Sequence, residues 1–130
     1  MLLSNLDIER LVKDLKIKYF RGVFMKDELP KKVKETECGI INLENSYQEG
    51  SHWTAYHKNK NKKYYFVSYG DAPPPKELDR YLGSKNLVYN NRRFQNYDDP
   101  SICGHLCLKV LKRLSEGESY EDALEGYINF

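Results

Sequence analysis

Long apolar runs are missing from this chain. No stretch approaches the roughly 18 consecutive apolar residues needed to span a bilayer. The opening "MLLSNLDIERL" places Asp7 and Glu9 where a secretory leader needs an apolar segment. A charge excess of either sign is missing as well. Lys and Arg number 21 against 19 Asp and Glu, for a net charge of +2, so no overall field favours a nucleic acid. Cysteine is scarce and odd in number. Three thiols do not make a disulfide framework and suit a reducing, intracellular compartment, cytoplasmic or nuclear. Repeats, linkers and low-complexity tails are lacking too, so residues 1–130 read as a single domain.

What is present is a globular composition, 40% hydrophobic and 31% charged, with eleven tyrosines but one tryptophan. Tyrosine buries a ring while keeping a polar tip wet, which fits a small sheet with partly exposed faces, or a contact surface. The one dense basic run, "HKNKNKK" at 57–63, reads as a solvated hairpin turn rather than a phosphate track.

Along the chain, Ser4 or Asn5 can cap a first helix whose apolar stripe is Leu6, Ile8, Leu11, Val12 and Leu15. A short extended stretch around Phe20 to Phe24 follows. "CGIINLE" at 38–44 is β-branched and bounded by turn formers, the pattern of a buried strand. "HWTAY" and "YYFVSYG" flank the Lys/Asn turn as a hairpin. Prolines lead into a short helix from about Pro75 to Leu82 that Gly83 ends, and "NLVYNN" is a further strand. After the polar connection "RRFQNYDDPS" comes the amphipathic "SICGHLCLKVLKRLS", and Ser119 with Asp122 resembles a capping box for a last helix. Helix, strands, then helices give an α+β layout, a small mixed or antiparallel sheet packed against a central helix.

That central helix raises the chemical question. Cys103, Cys107, Val110, Leu111 and Leu114 share one side of it. Cys107 fits a packed thiol. Cys103 stands on the first turn, where free N–H groups and the positive end of the helix dipole favour thiolate. Gly104 leaves room beside it for a substrate backbone. A buried thiol and a nucleophile both remain open on this evidence.

A nucleophile needs a base, usually histidine. His105 lies about 200° around the helix from Cys103 and cannot pair with it. His57 adjoins the lysine turn and is expected to be solvated. His52 opens a strand, with Trp53 pointing to the opposite face, and is the candidate base. Zinc would require convergent ligands; "CGHLC" turns His105 away from the two thiols, so no metal is expected.

The motifs "GSHWTAY", "YYFVSYGD", a glutamine and "SICGHLC", together with "YFRGVFMKDELP" and "CGIINLENSYQEGSHW" upstream, resemble the adenovirus maturation protease (adenain) family of cysteine proteases. That family is related to the ubiquitin-like-protein proteases. The likeness spans roughly residues 18 to 112. It implies that Cys103 is the nucleophile, His52 its base and Gln95 a donor to the oxyanion beside the Cys103 N–H. It also implies a polypeptide substrate, no cofactor, and a viral or transposon-derived maturation enzyme, intracellular or carried in a virion. Relatives often cleave after small residues such as Gly, which suits a narrow cleft near Gly50, Trp53 and Gly104. Relatives are activated by a viral peptide and by DNA; no feature here signals either. A monomer with no membrane attachment is expected.

One departure stands out. The family's histidine-orienting acid lies three residues before a strand-ending glycine, and in "VSYG" that position is Val67. Valine cannot accept an imidazole N–H. A Cys–His dyad, substitution by Ser68 or Asp71, or an inactive peptide-binding relative are the three readings. A ubiquitin-like-modifier protease is a further alternative, although 130 residues leave little room for a broad modifier-binding surface.

Overall fold

The structure, a computed structural model, describes residues 3–44, 52–94 and 102–125. Helix α1 (Asn5–Leu15) begins with a complete capping box: the Ser4 hydroxyl accepts the Asp7 N–H at 3.1 Å, and the Asp7 carboxylate accepts the Ser4 N–H at 2.9 Å. Its stripe is narrower than the sequence suggests. Ile8 and Val12 are buried, whereas Leu6 is 70% exposed. Leu6 lies two residues from Ile8, about 200° away around the helix, and so faces outward.

Five strands form one sheet in chain order: β1 (Phe20–Met25), β2 (Thr36–Asn42), β3 (Trp53–Asn59), β4 (Lys62–Phe66) and β5 (Leu87–Tyr89). β2, β3 and β4 pair antiparallel, while β1 joins β2 and β5 joins β4 in parallel. The sheet is therefore mixed, one of the two forms the element pattern leaves open. The β3–β4 turn at Lys60 and Asn61 is exposed, consistent with a solvated basic run.

Side chains alternate across this sheet and meet a different partner on each face. On one face Cys38, Ile40, Trp53, Ala55 and Phe66 pack with helix α3 (Cys103–Ser115), with Ile8 and Val12 of α1, and with Tyr120 and Ala123 of helix α4 (Tyr120–Glu125). On the other, Ile41, Tyr56, Tyr65 and Val67 meet Leu78 and Leu82 of helix α2 (Lys76–Leu82). Ser119 caps α4 by accepting the Asp122 N–H at 3.1 Å.

A buried carboxylate ties the first strands to α2. Glu37 accepts from Arg21 at 2.9 Å, from the Lys34 N–H at 2.7 Å, from Tyr56 at 2.5 Å and from Tyr81 at 2.8 Å. Burial alone would raise its pKa, but these donors together hold it below the usual carboxylate value.

Candidate active site

The first turn of α3 and the entry to β3 meet. The backbone N–H of Trp53 donates to Cys103 Sγ at 3.5 Å, and the Cys107 thiol donates to the Trp53 carbonyl at 3.4 Å. Two thiols one helical turn apart thus bracket a single strand residue. The peptide joining His52 to Trp53 consequently lies against Cys103, while the His52 carbonyl accepts from Leu43 at 3.2 Å. Cys103, His52, Trp53 and Gly104 are brought into one neighbourhood. Gln95 and Gly50 lie outside the described residues.

Cys103 has no exposed surface. Burial pushes its thiol above the ordinary cysteine pKa, against the backbone N–H groups of Trp53, Gly104 and Cys103 itself, which pull it down. This corrects the expectation that the helix start favours thiolate. Ile102, the N-cap, supplies no side-chain acceptor, so the N–H groups are free to act, but desolvation is the larger effect. Cys107 is buried completely and its thiol is pushed up further, in keeping with a packing role.

The His52 ring stacks on Tyr69, with centroids 4.7 Å apart and planes at 24°. Its Nε2 is buried and meets no hydrogen-bond partner among the described residues. Burial lowers the imidazole pKa, and the charge of Asp71 acts in the opposite direction. Both shifts favour the uncharged forms, a neutral imidazole and a neutral thiol, at neutral pH.

Val67 brings no side-chain acceptor to this site. It is fully buried on the α2 face among Ile41, Tyr56 and Leu78. Its peptide is held by one side chain: Asn90 Oδ1 accepts the Val67 N–H at 3.0 Å, and Asn90 Nδ2 donates to the Val67 carbonyl at 2.7 Å. The same carbonyl accepts the Gly70 N–H at 2.9 Å, closing a four-residue turn. Gly70 has φ +62°, and a Cβ there would run into the Arg92 backbone. Reversal at this turn is what delivers the Asp71 charge to His52. Ser68 is buried, with its carbonyl accepting from Phe94 at 2.6 Å.

Sequence reasoning passed over Tyr69, although it fills the aromatic position of the "VSYG" frame. It also misplaced His57. That ring is 6% exposed, its nitrogens meet no partner among the described residues, and burial lowers its pKa to about 4. Its lysine-rich neighbours suggested solvent, but strand parity puts His57 on the face of Trp53 and Ala55, under α3.

Two open grooves lie elsewhere. One of about 510 Å³ separates the β3–β4 hairpin from the α3–α4 turn, and one of about 350 Å³ separates β5 from α4. Neither is lined by Cys103 or His52. Among the described residues no cluster of His, Cys, Asp and Glu could hold a metal, and no helix is long and apolar enough to cross a membrane.

No family model matches the chain, and no curated protein matches its sequence. Solved structures do match. The crystal structure of ASFV pS273R protease superposes with a TM-score of 0.61 at 19% identity, covering 98% of this chain and 62% of that one. The selenomethionine form of the same protease gives a TM-score of 0.58 at 16% identity, covering 98% and 63%. At such identity the likeness is one of fold. The chain spans about three-fifths of that protease's length.

Proposed function

We propose that the chain is a cysteine endopeptidase of the adenain-like type, acting on polypeptides in viral or transposon-derived maturation. The observation that carries this reading is the Trp53 N–H on Cys103 Sγ at 3.5 Å. It sets the residue next to the candidate base against the candidate nucleophile, within a fold shared with a protease.

In this reading His52 takes the Cys103 thiol proton as the sulfur attacks the scissile carbonyl. The imidazolium then gives that proton to the leaving amine, and water, deprotonated by His52, releases the acyl group. Because burial raises the thiol pKa and lowers that of the imidazole, the proton moves during attack and not before it. The Cys103 N–H, and Gln95 by family resemblance, stabilise the oxyanion. Asp71 takes the part of the missing acid at a distance, favouring the imidazolium by its charge.

A peptide vinyl sulfone or peptide aldehyde tests the assignment. Covalent capture of Cys103, lost in Cys103→Ala and much reduced in His52→Ala, is the expected result. A folded protein that never labels at Cys103 would falsify it. Such an outcome favours a peptide-binding module on the same fold, the reading to which the complete burial of Cys103 lends weight. Reaction with modifier-based probes alone would identify a ubiquitin-like-modifier protease.

A further inference from the structure

The residue ahead of α1 sits on the surface that a substrate needs. Leu3 places its backbone carbonyl on the Trp53 indole, which donates from Nε1 at 2.9 Å. Its side chain lies over Gly104: a Cβ at that glycine would come 3.1 Å from Leu3 Cδ1 and 3.3 Å from Trp53 Cδ1. Gly104 and Trp53 are the neighbours of the candidate nucleophile and base, and both contact Leu3.

A main-chain carbonyl on a fixed donor, with an aliphatic side chain against a glycine, is how an extended polypeptide is held in a cleft. Leu3 makes both contacts from within the chain, and Cys103, next to Gly104 in α3, has no exposed surface. The Ser4–Asp7 capping box fixes the residue that follows, so Leu3 is presented in a defined position at the edge of the core. We propose that Leu3 is a self-supplied occupant of a substrate subsite, a gate that a polypeptide with an aliphatic side chain at the matching position displaces. This deepens the peptidase reading and rests on it for the identity of the subsite.

The gate is separable from catalysis because a small electrophile needs only access to the thiol. Iodoacetamide alkylation, with the modified cysteines mapped by mass spectrometry, is expected to run about tenfold faster at Cys103 in Leu3→Gly than in the parent. That is the shift in open population produced by loss of one ordinary contact. Cys38 and Cys107, both fully buried, serve as internal controls and are expected to stay unmodified. An unchanged Cys103 rate in a folded Leu3→Gly protein overturns the gate.

Should all three cysteines react in Leu3→Gly, the fold has loosened, and Trp53→Phe decides instead. It removes the donor to the Leu3 carbonyl while keeping an aromatic ring. Faster alkylation confined to Cys103 supports the gate, and an unchanged rate overturns it. Peptide cleavage is read separately. A Cys103 that opens to iodoacetamide in these variants, yet never cleaves a peptide or takes a peptide vinyl sulfone, leaves the gate standing and removes the peptidase.

Discussion

At the scale of single residues, the site is set by desolvation competing with charge. His52 is held below the usual histidine value by burial and raised by Asp71. The base form therefore persists to lower pH than in a solvated histidine, and the acid limb of kcat/KM is expected below 6.5, the ordinary value. Asp71→Asn removes the raising charge. Its acid limb is expected to move lower still, with kcat/KM reduced about tenfold as the base weakens; a pH–rate profile of the two proteins checks both shifts. Val67 tests the opposite idea. If its position governed the histidine, Val67→Asp would raise activity. Since the side chain is sealed among Ile41, Tyr56 and Leu78, the expected result is a loss of about 3 kcal/mol from an unpartnered buried carboxylate. Thermal unfolding would show a drop of roughly 10 °C. The places of Cys103 at a helix start and His52 just before a strand were legible in the sequence because they are local facts. Asp71 was legible only as one of several substitutes for the acid, because its approach depends on a turn closed by Gly70 and steadied by Asn90, twenty-three positions from Val67.

At the scale of elements, the amphipathic spacing of α1 and α3, the hairpin, the proline-led α2 and the capped α4 could all be read from neighbouring residues. The parallel pairing of β1 with β2 and of β5 with β4 could not, since register across a crossover is chosen by the two faces it buries. Glu37 is where those choices are locked. It gathers donors from β1, β3, α2 and the loop before its own strand, and no sequence period marks a buried carboxylate on a strand that otherwise reads as apolar. Glu37→Gln keeps the shape but removes the charge that Arg21 and both tyrosines face. It is expected to cost about 2 kcal/mol in urea unfolding at neutral pH. Restoring the parent's stability in that variant would require the network to be neutral in energy, which its four donors argue against.

For the whole molecule, two buried groups set the response to acid in separate windows. His57 has a folded pKa of about 4 against 6.5 when solvated. The fold prefers the neutral ring, so its contribution is complete above 6.5 and is lost as pH falls towards 4, roughly 3 kcal/mol in all. Glu37, depressed below 4.5, contributes above its unfolded value and is lost only in stronger acid. Urea denaturation at pH 7.5 and pH 4.5 is expected to show the first loss, and His57→Leu to flatten it. Equal pH dependence in parent and variant would remove His57 from the account.

The turn from Val67 to Gly70 has a thermal consequence. An acid carried within a strand is oriented by the sheet and keeps its bearing until the sheet itself melts. Asp71 lies beyond the strands, after a turn held by the Gly70 N–H, the Asn90 side chain and the Phe94 N–H, so its bearing opens with that turn and not with the sheet. Heating is then expected to uncouple Asp71 from His52 well before global unfolding. Peptidase activity would pass through its maximum clearly below Tm, and Asp71→Asn would flatten that peak while leaving Tm in place.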